Sequence, residues 1–446
     1  MSGASVTEVE ASEPKARDST TRTLNIVYIA STANLVGGQI FTLLLFGLLL
    51  PNQVGLINWG TAAGGIVFYI ADLGIETSLV VAIKNQPMRL SAITILIGAV
   101  RLVTAAVALG FWVVATRLHI MGGAELSVLL LVGLGLVARS LQTPFTAYLQ
   151  VLDQQAVVAL VQLLPVAIRL AGLLALWLGQ TVGVTSVLLV MLAGDVTALL
   201  MVGLIARTQP DRQFTGQMRV LLRQLLRSAP LITLSQALLA GQNRLDWLIV
   251  AALTSYAALA NYSIANKAIE LLILAGSVFG RTALPWLVEG WSARNLPRNV
   301  RWLSAGLIVA GLAIATLGAP VLGLLFGHKY DGAAAVIPLL AALAPCLAIY
   351  QIVQFASFAR GRALDAVIGG GLGLSAQVIV DLITIPRQGI LGAAYGMCAY
   401  AAIALPVQLG LGLRTVVPPR AALELLGAAA LLPTILILGA LIGAHL

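Results

Sequence analysis

The chain has 446 residues, 59% of them apolar and only 10% charged, with a formal net charge of +9 and a mean hydropathy of +0.98. So little polar surface cannot solvate a globule, which excludes a water-soluble domain and makes lipid the solvent. The positive balance, taken up below, reflects orientation in a membrane and gives no reason to expect nucleic acid as a partner.

In chain order, Met1 to Thr23 mixes Glu8, Glu10, Glu13 and Asp18 with Lys15, Arg17 and Arg22. It lacks a separate apolar core, so residues 1–23 read as a disordered cytoplasmic tail and not as a cleavable signal. Spans are predicted near 24–50, 54–83, 90–116, 124–149, 156–178 and 183–206, forming a first bundle over 24–206. A second bundle over 228–413 has spans near 228–253, 257–287, 302–326, 333–358, 366–385 and 389–413. Residues 414–446 form a C-terminal transmembrane tail, one helix or a hairpin at Pro433. Runs such as Leu43 to Leu50 and Val187 to Leu192 are apolar without alternation, which argues against a β-barrel. The expected fold is therefore all-α and polytopic, with about twelve to fourteen transmembrane helices of roughly 20 residues each in two pseudo-repeated six-helix bundles.

Between the bundles, residues 207–227 carry Val220, Leu221, Leu222, Leu225 and Leu226 among Arg219, Arg223 and Arg227. That pattern predicts an amphipathic helix on the inner leaflet. With the N-terminus inside, 17 of the 26 lysines and arginines fall in cytoplasmic segments, and only Arg117, Lys329 and Arg387 fall in external loops. An asymmetry of this size is what the positive-inside rule demands of a correctly counted topology.

Six cations remain inside the spans: Arg101, Arg139, Arg169, Arg244, Lys267 and Arg281. A cation at mid-membrane costs roughly 2.5 to 3.5 kcal/mol, so it faces a polar cavity or a partner and not lipid. Arg101, Arg139 and Arg169 have no acid near them in sequence, and they are expected to line an anion-accepting cavity. Arg244 and Lys267 share that expectation, set against local pairing with Asp246 and Glu270. Arg281 sits late enough in its span to snorkel to the cytoplasmic surface.

Among embedded acids, Asp72 and Glu76 stand one helical turn apart and are expected to take a proton or a sodium ion, or else Asp72 bonds a neighbouring helix. Asp195, Asp246, Glu270 and Asp381 are isolated alternatives. Cys346 and Cys398 lie in apolar segments without metal-ligand spacing, and His119, His328 and His445 form no metal motif, so no metal or other cofactor is expected. The phosphate-loop signature is missing as well, which leaves no ATP hydrolysis to this chain.

Two dipeptides echo across the halves: Gly38-Gln39 recurs as Gly241-Gln242, and Asn58-Trp59 as Asn261-Tyr262, both offset by 203 positions. Each falls at the corresponding place in the first and second helix of its set, as an internal duplication requires. Duplicated bundles suit a transporter that rocks one half against the other around a central site.

Several of these residues resemble a known family, the O-antigen and exopolysaccharide flippases of the Wzx type. That family lies in the superfamily of MATE multidrug exporters and lipid II flippases. The likeness rests on Pro51, Gly55 and Asp72-Leu73-Gly74 in the first half. In the second half it rests on Asp246, Asn261-Tyr262-Ser263-Ile264-Ala265, Lys267 and Pro285. Further on, Phe326-Gly327-His328-Lys329-Tyr330, Arg360-Gly361-Arg362 and the run Ile385-Pro386-Arg387-Gln388-Gly389-Ile390-Leu391-Gly392-Ala393-Ala394 keep the family's order. Val54 departs from the acidic or small residue of many relatives, and the tail after Arg414 is shorter than in fourteen-helix members. The resemblance implies a flippase that moves an undecaprenyl-diphosphate-linked oligosaccharide to the outer leaflet of a bacterial cytoplasmic membrane, a transporter and not an enzyme. Its partners are then that lipid-linked oligosaccharide, membrane lipids, and a proton or sodium ion. The competing classes are a MATE-like cation or drug antiporter, which favours embedded acids, and a membrane polysaccharide polymerase, which needs a large external loop.

Overall fold

The computed structural model describes residues 13–72, 90–117, 126–152, 154–208, 234, 237–238, 241–242, 244–282, 296–412, 420–430 and 433. Among these residues every regular element is helical, and eight helices are long and apolar enough to cross a membrane. The chain is an all-α, multi-pass membrane protein, as hydrocarbon demands of a backbone that must bond to itself. Glu76, Pro285, the linker beyond Thr208 and the tail beyond Pro433 lie outside the described residues.

In chain order the helices are α1 (Glu13–Leu48), α2 (Pro51–Asp72), α3 (Leu90–Arg117), α4 (Leu126–Val151), α5 (Gln155–Leu178) and α6 (Val184–Thr208). They continue as α7 (Tyr256–Thr282), α8 (Leu296–Phe326), α9 (Ile337–Ala359), α10 (Ala363–Gln388) and α11 (Ile390–Gly412). A 3-10 turn, Gly327–Tyr330, and a short helical turn, Asp331–Ala334, join α8 to α9. Further helical stretches cover 244–253 and 420–430. Most boundaries fall within a few residues of the expected spans. The start of α1 differs: helix begins at Glu13, inside the segment expected to be a tail. Pro14 there occupies the first turn, where its missing N–H costs nothing, and acidic residues favour a helix N-terminus.

Two compact units emerge. The first comprises Met1–Leu45, Ile75–Gly110 and Ser127–Arg227; the second comprises Phe46–Gly74, Phe111–Leu126 and Ser228–Leu446. In the first, α5 and α6 pack as a hairpin whose crossing depends on glycine. A Cβ at Gly194 would lie 3.0 Å from the Pro165 carbonyl oxygen, and Gly172 faces the Val190 side chain. This close approach brings Asp195, the residue after Gly194, against the neighbouring helices.

In the second unit α9 is central, with 89% of its apolar stretch buried. It packs on α7, α8 and α11. The α7 helix also carries α2: a Cβ at Gly55 would fall on the Tyr256 carbonyl, Asn58 Nδ2 donates to Ser263 Oγ at 2.8 Å, and Trp59 meets Tyr256 edge-on. The dipeptides Asn58-Trp59 and Asn261-Tyr262, matched at 203 positions, thus lie on two helices that pack together. Densest of all is the α10–α11 hairpin. It turns at Gly389, whose φ of +60° is open to glycine at little steric cost, and whose N–H closes on the Ile385 carbonyl at 2.8 Å. Gly373 on α10 and Gly392 and Gly396 on α11 let the two backbones approach closely.

Candidate functional site

Two of the charged groupings in the described spans are buried centres of opposite sign, one in each unit. In the first unit, Asp195 on α6 accepts from two arginines through a single oxygen. Arg139 Nε on α4 reaches its Oδ1 at 3.0 Å and Arg169 Nη2 on α5 reaches the same atom at 2.6 Å. Gln142 Nε2, one turn beyond Arg139, donates to the Asp195 backbone carbonyl at 2.8 Å and fixes α4 against α6. Gly135 leaves room for the other carboxylate oxygen, which lies 3.3 Å from where a Cβ would stand.

Two guanidinium groups on one carboxylate leave a net positive charge. The two arginines differ in setting: the Arg169 side chain is 14% exposed and that of Arg139 is 46% exposed. Arg169 Nε is buried without an acceptor among the described residues. The group therefore keeps spare N–H donors in a low dielectric, and such donors favour an oxyanion. Arg101 on α3 belongs to the same unit and is fully buried.

The second centre is built from acids. Asp246, in the helical stretch 244–253, is fully buried, accepting from the Tyr262 hydroxyl of α7 at 2.6 Å and from the Trp247 N–H at 2.8 Å. Asp381 on α10 is also fully buried and lies within electrostatic reach of Asp246. Its carboxylate sits over Gly396, where any Cβ would collide with it, and neither of its oxygens has a hydrogen-bond donor among the described residues. Gln377, one turn earlier on α10, is fully buried. Its Nε2 points to the Gln242 carbonyl at 3.4 Å, while its Oε1 has no donor among the described residues. Buried carboxylates near each other are expensive unless they hold a proton or a cation, and Arg244, within electrostatic reach of Asp246, offsets only part of that cost.

The structure thus brings Arg139 and Arg169 together on Asp195, an acid that sequence left isolated. Arg244 and Lys267 belong to the other unit and have their own partners. Lys267 bonds Glu270, the i,i+3 pairing weighed above. Arg244 lies within electrostatic reach of Asp246 and over the Trp247 ring at 4.4 Å, while the Asp246 carboxylate accepts its side-chain hydrogen bond from Tyr262. Glu76 lies outside the described residues, as does the side chain of Asp72. Sequence reasoning missed the pairing of Asp246 with Asp381. A usable signal was that both are acids within apolar runs with no lysine or arginine at i±3 or i±4.

No protein-family model matches the chain, and no curated protein matches it in sequence. Solved structures do match. The lipid II flippase MurJ in an inward closed conformation superposes with a TM-score of 0.66 at 13% identity, covering 92% of each chain. An outward-facing multidrug resistance MATE family transporter of the MOP superfamily gives 0.62 at 14% identity, over 91% of this chain and 96% of that one. The Vibrio cholerae MATE transporter VcmN in its bent form gives 0.58 at 13%, over 93% and 99%. The chain has the MATE-like fold. The arginine centre lies on α4, α5 and α6, and the acid centre on the stretch 244–253, α7 and α10.

Proposed function

We propose that this chain is a membrane transporter that carries an anionic lipid-linked oligosaccharide, of the undecaprenyl-diphosphate type, from the cytoplasmic to the outer leaflet of a bacterial membrane. Its N-terminus is cytoplasmic, it works by alternating access, and it is driven by a monovalent cation. The observation that carries the reading is the Arg139–Asp195–Arg169 group, net positive and half open at Arg139. A diphosphate exposed to hydrocarbon costs many kcal/mol, so a carrier must offer fixed cations along a wet path. Asp195 holds the two arginines in place and leaves Arg139's terminal nitrogens for the headgroup. Arg101 adds positive potential from within the same unit, and the prenyl tail stays in lipid. That MurJ, a lipid II flippase, shares the fold agrees with this reading.

We assign coupling to Asp246 and Asp381, and Asp72 and Glu76 are the alternative acids for the same role. Filling the acid centre with a proton or sodium ion removes the cost of two buried like charges, and that differential stabilisation is what a gradient can use to shift a two-state equilibrium.

The test is reconstitution in liposomes with a fluorescent polyprenyl-diphosphate oligosaccharide, following leaflet exchange. The native chain should exchange the lipid well above protein-free vesicles and Arg139→Ala should fall toward background; equal background exchange in both defeats the flippase reading. A second reading, a cation or drug antiporter, is favoured by the buried acid pair. It predicts uptake of a fluorescent organic cation that Asp381→Asn abolishes and Arg139→Ala leaves intact.

A further inference from the structure

From Asp381 a line of buried polar groups runs along one face of α10 toward the end of the helix that carries Arg362 and Asp365. Gln377 stands one turn from Asp381 and is fully buried, with its Nε2 also 3.7 Å from Met397 Sδ on α11. Further along, the hydroxyls of Tyr350 on α9 and Tyr400 on α11 share a hydrogen bond. They sit against Gly370, where a Cβ would lie 3.1 Å from the Tyr350 hydroxyl and 3.9 Å from that of Tyr400. Both tyrosines are 2% exposed or less. Beyond them Gln408 on α11, fully buried, donates to Ser357 Oγ on α9 at 3.3 Å, and Gly369 faces it from α10. The line ends at Asp365, held by Arg362 at 2.7 Å, and Arg362 also reaches the Leu411 carbonyl at 3.3 Å.

The groups left over on this face are all acceptors. Gln408 Oε1, Gln377 Oε1 and both oxygens of Asp381 have no donor among the described residues. Three separate turns of helix thus offer unengaged oxygens toward a seam where glycines replace side chains. Buried acceptors in a row call for something that supplies O–H donors along the whole length. An anion is not favoured there, since among the described residues no lysine or arginine bonds to a group of the seam between Gln408 and Asp381. The titratable groups around Asp381 on the packed elements are Asp246 from the stretch 244–253, itself within electrostatic reach of the Arg244 cation, and Tyr262 from α7, with Cys398 of α11 close to Tyr262.

We infer that the α9–α10–α11 seam is a proton path, running from the Arg362–Asp365 end past Ser357 and Gln408, through the Tyr350 and Tyr400 hydroxyls and Gln377, to Asp381. This rests on the coupling role proposed for Asp381 and adds how the cation reaches it. A proton enters from water at the Asp365 end. Each hydroxyl accepts one proton and passes on its own, water molecules held by the amide oxygens bridge between them, and an O–H bond forms on Asp381 while no other group changes charge. Under the positive-inside topology the entrance faces the cytoplasm, so the path serves proton release or loading on that side.

The test follows proton uptake after a pH jump, in purified full-length protein, with an indicator dye in weak buffer; Asp381→Asn defines the Asp381 fraction. Tyr400→Phe and Gln408→Leu should each slow that fraction by about ten-fold or more and leave its final extent unchanged. Unchanged rates in both variants overturn the path. If Asp381-dependent uptake is absent and 22Na+ binds instead in an Asp381-dependent manner, the path is overturned while cation coupling stands. If neither cation depends on Asp381, the coupling role itself falls. Should both variants misfold, hydroxyl-radical footprinting of the native protein decides. Tyr400 should be oxidised well above Tyr330, which is equally buried but off the seam, and equal labelling overturns the proposal.

Discussion

Removing the acid at the arginine centre separates its two arms. In Asp195→Asn, Arg139 and Arg169 lose a shared anion that both approached within hydrogen-bond distance, at 3.0 and 2.6 Å. Two guanidinium groups about 5 Å apart repel by roughly 3 kcal/mol at an effective dielectric of ~20, but Arg139 is 46% exposed and can swing away, which removes most of that. What remains unequal is the loss of the two bonds. The Arg139 bond is half solvated and should contribute about 0.2–1 kcal/mol, as exposed pairs do. The Arg169 bond is largely buried and charge-assisted, worth about 1.5–3 kcal/mol. The assay is a pair of double-mutant cycles, Asp195→Asn with Arg139→Gln and Asp195→Asn with Arg169→Gln, read by reversible unfolding in mixed micelles. The Arg169 coupling should exceed the Arg139 coupling by about 1 kcal/mol or more. Equal couplings, or a larger one for Arg139, would refute the division into a structural and an exposed arginine.

Other substitutions test the packing that positions the two centres. Gly396→Ala puts a methyl group onto the Asp381 carboxylate and should cost about 1–3 kcal/mol through forced displacement, seen as a lower melting temperature, whereas Gly410→Ala, with open space around it, should be neutral or slightly stabilising. Tyr262→Phe deletes the hydroxyl that donates to Asp246 at 2.6 Å and should destabilise by about 1–3 kcal/mol, since a buried acceptor loses its side-chain donor; Asp246→Asn in the same background should recover part of the loss. Lys329→Ala removes the ammonium that bonds the Phe46 and Gly47 carbonyls at 2.7 and 3.0 Å. As a cap on the C-terminal end of α1 it should be worth about 0.3–1 kcal/mol, and a change larger than Tyr330→Phe, which takes away the 2.9 Å bond to Phe46, would show that its charge contributes as well as its hydrogen bonds.

Most of the fold was legible because a span declares itself locally. The runs leading to α5, α6, α10 and α11 are long and predominantly apolar, and Gly389 marks the turn between the last two. The candidate site was legible only in part. Embedded charge identified Arg139, Arg169 and Asp381 as residues needing an explanation, yet nothing in a one-dimensional pattern says that Asp195, 26 and 56 positions from its partners, is the acid both arginines share. That pairing depends on where α4, α5 and α6 cross, which Gly194 and Pro165 decide. Local spacing fared differently in two neighbouring cases. It found Lys267 with Glu270, which are one turn apart on α7, whereas it brought Arg244 only within electrostatic reach of Asp246, because two positions along a helix point to different sides and the Tyr262 hydroxyl from another helix bonds the carboxylate.

Under the proposed function, the two centres bind ligands of opposite charge, and the coupling between those ligands is measurable. At the arginine centre the fixed charge exceeds its counter-charge, so an incoming oxyanion meets donors that need little reorganisation, as preorganised recognition requires. At the acid centre the excess is of acceptors, and the favoured occupant is a cation. Each ligand therefore satisfies groups that the protein alone leaves short, and each stabilises whichever conformation closes around it. By linkage, a cation that raises the affinity for the anionic headgroup by some factor must have its own affinity raised by the same factor. Titrating headgroup binding with and without saturating cation, and cation binding with and without headgroup, should give equal factors that both collapse to one in Asp381→Asn. Headgroup binding that ignores the cation would leave the acid centre without a part in transport.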